Sequence, residues 1–276
     1  MSRFIHLIAL SALVVVAARS AFAEEPVREI DAKAQAKELV SAMKSKDPAI
    51  RLEAATKARD NQETTITSAL LRLLSDKDGH VRDAAIDALA MRSTSSQRKK
   101  AASSLAGRMP RLQKHPADRE ELNRVIEALG RLQQPASIRP LLDPIDKDME
   151  IEEVQARMNA VAEIPHKESV ERLIQFLARG RKGEARNQKG AAQRALITLT
   201  GIKGNRDPDS WRAWWREHGK DFDFEYVAQE RADAEADRQA RDAKKEERRK
   251  QRAEKKNKRN KDKKKSDGAG GGSDQA

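Results

Sequence analysis

The chain has 276 residues and a net charge of +12, with 36% charged residues, 3% aromatic residues and no cysteine. This composition is too polar for the core of a large compact enzyme and is typical of a helical array with a solvated tail. The lack of cysteine excludes thiol catalysis, thiolate zinc and iron–sulfur sites, disulfides and a lipid-anchored cysteine, whereas the meaning of the positive charge depends on where it lies.

The first 23 residues are typical of a secretory signal peptide. Arg3 precedes an apolar run from Phe4 to Ala18, and Ala21-Phe22-Ala23 forms a small-x-small box before Glu24. A membrane anchor is the alternative, but the run is shorter than the roughly twenty residues that span a bilayer. We predict cleavage after Ala23 and export, to the periplasm or out of the cell, with no transmembrane segment left in the mature protein.

Local signals predict the first helix pair. Residues 24–30 are interpreted as a leader, and Asp31 as the N-cap of a helix from Ala32 to about Lys44. A second helix is predicted over residues 48–60. Asp47 caps it, and Pro48 occupies the first helical position, where its missing N–H costs nothing.

The segment from Ile66 to Met91 predicts a second pair, 64–75 and 79–92, joined by an acidic turn. Apolar residues recur at helical spacing, large on the first helix and mostly small on the second: Ile66, Leu70, Leu73, Leu74, Val81, Ala85, Ala88 and Leu89. Small residues let a neighbouring helix approach closely, and Asp78 is a good N-cap. A pair this short cannot bury its own apolar faces, so it needs copies of itself on either side.

A copy of this second helix occurs upstream. KDPAIRLEAATKA (46–58) aligns with KDGHVRDAAIDAL (77–89), and 31 residues separate Asp47 from Asp78. In both copies an aliphatic–arginine pair, Ile50-Arg51 or Val81-Arg82, follows the acidic turn and opens an alanine-rich helix. The pattern resembles the HEAT-repeat families, in particular the short bacterial HEAT-like repeats of bilin lyases. This resemblance implies an α-solenoid, and solenoids of this kind are mostly binding scaffolds.

Three further pairs continue the array. They are 96–109, ended by Pro110, with 119–132; 137–142 with 150–164; and 169–178 with 187–199. The loop GRKGEARNQKG (180–190) lacks the Gly-Lys-Ser/Thr end of a phosphate-binding loop, so we interpret it as a solvated connection. We predict an all-α fold: an α-solenoid of about five HEAT-like helix pairs, closed by a Trp-rich helix and followed by a charged C-terminal tail. The predicted domains are 1–23, 24–227 and 228–276.

All three tryptophans lie in one predicted helix near the end of the array. Asp207 caps this helix, and Trp211, Trp214 and Trp215 fall on one face at i, i+3 and i+4. One interpretation is a closing helix that covers the open apolar end of the solenoid, since terminal repeats need a cap. The other is an aromatic platform for a ligand such as a sugar. Three alternating aromatics follow and are expected to pack back against this end: Phe222, Phe224 and Tyr226.

The apolar pattern ends at about Ala228. Residues 228–256 favour a solvated helix, because oppositely charged residues recur there at helical spacing. Lys244 to Lys265 contains fourteen basic and four acidic residues, and a flexible SDGAGGGSDQA end follows. The candidate polyanion-binding residues are Lys255, Lys256, Lys258, Arg259, Lys261, Lys263, Lys264 and Lys265.

No catalytic or metal-binding signature stands out. Besides His6, the histidines are His80, His115, His166 and His218, and none is paired at metal-ligand spacing. We therefore predict a protein without catalytic residues, cofactor or metal. An enzymatic alternative, lyase-like handling of a tetrapyrrole, rests on family analogy alone.

Two functions remain, and both concern binding. The first is a non-enzymatic, exported scaffold for an unknown protein partner. The second is association with a polyanion through the tail. Export makes acidic glycan or anionic lipid a better candidate than nucleic acid. Arg51 and Arg82 have two interpretations as well: a basic ladder for acidic partners, or, as we favour, contacts with carbonyls and the acidic turn of the adjacent repeat.

Overall fold

The structure is a computed structural model that describes residues 25–146, 149–179, 186–203 and 207–268. The predicted signal peptide (1–23), its cleavage site after Ala23 and most of the predicted 180–190 loop lie outside these residues. The helices are α1 Glu25–Ala42, α2 Pro48–Lys57, α3 Thr64–Leu73, α4 Gly79–Ala90, α5 Ser95–Leu112, α6 Arg119–Leu132, α7 Ile138–Leu142, α8 Ile151–Ala162, α9 Lys167–Arg179, α10 Arg186–Thr200, α11 Pro208–His218 and α12 Phe224–Gly268. Short 3-10 turns precede α6 and α7.

The helices alternate between two layers. Each odd-numbered helix from α1 to α11 packs against the next odd-numbered helix, and these form the first layer. The even-numbered helices from α2 to α12 stack in the same way in the second layer. The result is an α-solenoid of five helix pairs, α1/α2 to α9/α10, followed by α11 and α12. The predicted fold class is confirmed.

The second layer is the more tightly packed of the two. The buried positions of its helices are rich in small residues, among them Ala54, Ala55, Ala85, Ala88, Ala128, Ala160, Ala191 and Ala192. Small side chains reduce the distance between helix axes. The small side chains therefore account for the closer packing of the second layer.

The predicted caps fix where α2 and α4 begin. The Asp47 carboxylate accepts from the N–H of Ala49 at 2.9 Å. The Asp78 carboxylate accepts from the N–H groups of His80 and Val81 at 2.9 and 3.2 Å. These bonds satisfy N–H groups that have no partner inside the helix. Helices α2 and α4 therefore each begin directly after the aspartate that caps them.

The two copies of the repeat differ at the aliphatic position. Val81 is fully buried, whereas its counterpart Ile50 is 44% exposed. Helix α4 packs against α2 on that side, but α2 belongs to the first pair, and no earlier pair in the described residues covers it. Ile50 and Val81 therefore occupy equivalent positions in the sequence repeat, but only Val81 is buried.

Two predicted helix ends are wrong. Asp31 is not an N-cap, because α1 already begins at Glu25. Pro26 is tolerated in the first turn of α1, because the N–H that proline lacks would have no partner inside the helix there. Pro110 does not end α5, which continues to Leu112. Proline in the last turn removes a single backbone hydrogen bond, and Met109 and Leu112 on either side of it are buried.

Helix α12 is the largest difference from the predicted tail. It runs without interruption from Phe224 to Gly268, so it begins before the predicted boundary at 228 and includes residues 266–268 of the predicted flexible end. Residues 269–276 lie outside the described part. Among the helices described, none is both long enough and apolar enough to cross a membrane.

Candidate functional site

Arg51 and Arg82 connect consecutive helix pairs. Arg51 donates to both carboxylate oxygens of Asp76, at 2.6 and 2.7 Å, and to the carbonyl of Ser45 at 2.9 Å. Arg82 donates to Glu121 at 2.8 Å and to the carbonyl of Asp76 at 3.0 Å. The hydrogen bond from Arg51 lowers the pKa of Asp76 below its usual value. The guanidinium groups are therefore held at the junctions between pairs.

Three further arginines donate hydrogen bonds to carbonyls at the ends of helices. The sequence did not predict this role for them. Arg92 is 3% exposed and donates to the carbonyls of Ala58 and Arg59, where α2 ends. Arg98 donates to the carbonyl of Leu132 at the end of α6. Arg157 is fully buried and donates to carbonyls at the end of α7. Helix C-termini leave carbonyls without partners, so these side chains complete the backbone hydrogen bonding.

The tryptophans pack together at the closing end of the array. Trp211 is fully buried, and its indole N–H donates to the side-chain oxygen of Gln193 at 3.1 Å. Trp214 contacts Trp211 edge to face, with ring centroids 5.9 Å apart. Trp215 lies against Phe222, with centroids 5.6 Å apart.

Neighbouring aromatic side chains cover further parts of the tryptophan rings. Phe222 and Phe224 contact each other edge to face, and His218 stacks on Trp214 with centroids 5.0 Å apart. Phe224 also lies 6.3 Å from Trp215 and packs against the core. Tyr226, the third alternating aromatic, is 60% exposed. These contacts hold the start of α12 against α11.

A groove runs along the edge where the second-layer helices end. We name it the edge groove, and its volume is about 570 Å³. Helices α4, α6, α8 and α10 contribute their C-terminal residues, and the first two turns of α12 form the remaining wall. The side chains that define it are Met91, Arg131, Glu163, Leu199, Phe224 and Arg231.

The edge groove combines an apolar surface with charges of both signs. Met91 is one of three large apolar side chains that are exposed among the described residues, at 39%. Loss of hydration raises the pKa of Glu163 above its usual value, although Arg131 and Arg231 lower it. Arg231 also donates to the carbonyl of Thr198 at 3.4 Å, which fixes the base of α12. The groove can thus hold a ligand that has both an apolar and a charged part.

The structure also locates the acidic and basic residues that concern metal and polyanion binding. Among the side chains that the structure describes, no three His, Asp or Glu come together as a metal site. The eight candidate polyanion-binding residues, from Lys255 to Lys265, fall on the helical backbone in the last third of α12. The edge groove was not predicted, because its residues come from five helices whose ends meet only in the folded array.

These features define the class of the protein: an α-solenoid of short, arginine-linked helix pairs. Residues 36–112 match the HEAT repeats family. This segment is therefore similar to HEAT repeats, and the described residues fold as an α-solenoid of helix pairs. A comparison with curated proteins finds no match.

Solved structures with similarity to the chain include natural and designed proteins. The complex of CpcE and CpcF of phycocyanin lyase from Nostoc sp. PCC7120 matches at 19% identity and a TM-score of 0.43, over 60% of this chain and 65% of that chain. An engineered protein matches at 18% identity and 0.27, over 60% and 96% of the two chains. A designed armadillo repeat protein matches at 16% identity and 0.25, over 59% and 98%.

Proposed function

We propose that the protein is a non-enzymatic, exported scaffold that binds a protein partner in the edge groove. The observation that supports this is the exposure of Met91 in a groove to which five helices contribute. An exposed apolar side chain in a concave site with a few polar groups is the usual composition of a binding site. A partner segment in this groove would contact four helix pairs at once.

The test replaces Met91 with glutamate and uses Ile50→Glu as the matched control. Both residues are large, apolar and exposed, but Ile50 lies in the first turn of α2 and does not line the edge groove. Each full-length protein carries a photo-cross-linker at Arg131, and cross-linked proteins are identified by mass spectrometry. We expect wild type and Ile50→Glu to capture a partner protein that Met91→Glu does not capture. Equal capture by all three proteins would contradict the proposed groove.

The scaffold proposal also includes export and the absence of catalysis. Mass spectrometry of the mature protein tests export, because we expect its first residue to be Glu24. The lyase-like alternative predicts that the purified protein binds or modifies a tetrapyrrole. An absorbance change of an added bilin that saturates with protein would contradict the non-enzymatic proposal.

A second function, association with a polyanion through α12, is supported by a separate observation. The described side chains from Ala228 to Ala253 are all exposed, and the stretch from Lys244 to Lys265 carries the excess of basic residues. Proteins that contact many anionic groups release condensed counterions, so affinity falls steeply as salt rises. At about 0.15 M salt the screening length is roughly 8 Å, which leaves only close contacts effective.

Truncation after Ala243 tests this second function. It removes the basic stretch but keeps Phe224, Val227 and Arg231, which hold α12 on the array. Full-length and truncated proteins are titrated with anionic vesicles at low and physiological salt. We expect the truncated protein to keep its fold and lose most of the binding. Undiminished binding would locate the polyanion site on the array.

A further inference from the structure

The first layer of the array is strongly basic in its middle. Helices α3, α5 and α7 contain no aspartate or glutamate. Their basic residues are Arg72, Arg98, Lys99, Lys100, Arg108, Arg111 and Arg139. Most of them belong to α5, and Lys114 follows directly after it. The first layer therefore carries positive charge that its own helices do not balance.

Two of the α5 arginines are occupied in structural contacts, and the rest of its basic residues face solvent. Arg98 donates to the carbonyl of Leu132 at 2.8 Å, and Arg108 donates to Glu121 at 2.5 Å. In contrast, Lys99, Lys100, Arg111 and Lys114 are exposed. Arg111 lies 4.0 Å from Asp118, a distance at which an exposed pair contributes little.

Three carboxylates of the neighbouring helix pairs are already engaged. Asp76 pairs with Arg51, and the carboxylate of Asp78 caps α4. Glu121 accepts from Arg82 and Arg108. Burial raises the pKa of Glu121, but the hydrogen bonds from both arginines outweigh this effect and keep the pKa below its usual value. Asp76 and Glu121 are therefore ionised at neutral pH, and all three carboxylates have partners inside the array.

The exposed basic residues form two groups along α5. Lys99 and Lys100 lie near its start, and Arg111 and Lys114 near its end. Lys100 and Arg111 are separated by about 16 Å at the helical rise of 1.5 Å per residue. Ser103 and Gly107 lie on the same face between them, and a Cβ at Gly107 would meet no atom within 4 Å. A small anion cannot reach both groups, so the arrangement fits an extended ligand.

We propose that this surface, the α5 basic face, binds a linear acidic polysaccharide. Its charges match carboxylate or sulfate groups spaced along a chain, and the exposed hydroxyls of Ser96 and Ser103 match sugar hydroxyls. The exposed large apolar side chains of the described residues are Ile50, Met91 and Tyr226, none of them on this face. An amphipathic helix that lies in a membrane uses apolar residues, and single-stranded nucleic acid uses aromatic platforms. The proposal depends neither on the edge groove nor on α12.

The test compares two full-length variants with the same change in net charge. The face variant carries Lys99→Gln, Lys100→Gln, Arg111→Gln and Lys114→Gln. The control variant carries Lys44→Gln, Lys46→Gln, Lys57→Gln and Lys77→Gln, all at exposed positions outside α5. Binding to heparin and to polygalacturonate is measured at about 0.15 M salt, and thermal melts establish that both variants are folded.

We expect the face variant to bind both polysaccharides roughly ten-fold or more weakly, as four lost surface ion pairs predict, while the control stays close to wild type. Footprinting of wild type by lysine acetylation adds a site-specific result: the polysaccharide should protect Lys99, Lys100 and Lys114. Equal loss in both variants, or no loss in the face variant, would overturn the proposal. Face-dependent binding to phosphatidylglycerol vesicles or to single-stranded DNA, without binding to the polysaccharides, would overturn it too.

Discussion

Gly130 of α6 lies against Ala160 of α8 so closely that a Cβ at residue 130 would be 2.9 Å from the Ala160 Cα. The atom it would meet is backbone, which cannot rotate away as a side chain can. Gly130→Ala should therefore separate the two helices and lower the free energy of unfolding by about 1–3 kcal/mol, the usual cost of overpacking. Urea denaturation followed by circular dichroism measures this change.

The matched control for this substitution is Gly107→Ala in α5. Its new Cβ would meet nothing within 4 Å, so only the difference in helix propensity remains. Alanine is preferred over glycine in a helix by roughly 1 kcal/mol, so the variant should be stabilised by up to that amount. If both variants shifted the urea midpoint in the same direction, the close contact would not be what sets the spacing of α6 and α8.

Arg157 should be far more important for stability than an exposed arginine. Its fully buried guanidinium donates to Glu153 at 2.8 Å and to the carbonyls of Pro140 and Leu141 at 3.2 Å. Arg157→Ala should cost about 3–5 kcal/mol, because it leaves a carboxylate and helix-end carbonyls without partners. Arg139→Ala removes an exposed pair with Glu168 and should cost about 0.5 kcal/mol or less. Similar melting temperatures for the two variants would contradict the role assigned to Arg157.

The array should lose stability in acid. Asp76 and Glu121 are held by arginines, and the pKa of each is lowered in the folded protein. A group whose folded pKa is lowered contributes stability that is complete above its unfolded pKa and lost as pH falls through the folded pKa. The unfolded values are about 4, so the free energy of unfolding should fall as pH drops below about 4.

Glu121→Gln identifies one source of this acid sensitivity. The variant should be less stable than wild type at pH 7 and show a shallower decline below about pH 4, because one linked proton is gone. Glu127→Gln, on the exposed side of α6, is the control for the loss of one carboxylate. Denaturant titrations at a series of pH values provide both slopes. An unchanged decline in Glu121→Gln would mean that other carboxylates dominate.

Trp211 should act as a structural residue. It is fully buried at the end of the array, so Trp211→Ala should cost about 3–5 kcal/mol. Tyr226→Ala, at a residue that is 60% exposed, should change stability by roughly 0.5 kcal/mol or less. Thermal melts compare the two. A wild-type melting temperature for Trp211→Ala would instead favour the ligand platform.

The parts of the fold that depend on neighbouring residues could be predicted from the sequence. The caps at Asp47 and Asp78 act within three residues, and apolar periodicity marks the buried face of α3. The arginine contacts could not be predicted in the same way. Arg92 reaches carbonyls more than thirty residues away, and their position depends on how α4 stacks on α2.

The edge groove could not be predicted from the sequence for a related reason. Met91 looks like one more apolar residue at the end of a helix, and only the stacking of α6 and α8 beside it creates a groove. The exposure of Ile50 has the same origin, because its burial depends on a preceding repeat and not on its own helix. The basic tail was visible in the sequence, but the continuity of α12 from Phe224 was not.

Helix α12 also determines how the molecule behaves in solution. At 1.5 Å per residue its 45 residues form a rod of about 67 Å. Among its side chains up to Ala253, the residues that line the edge groove all lie in the first two turns. Such a projection increases the hydrodynamic radius without adding much mass. The 30.9 kDa chain should therefore elute from a gel-filtration column ahead of compact standards of equal mass. An early peak is thus expected of a monomer, and light scattering is needed before it is assigned to a dimer.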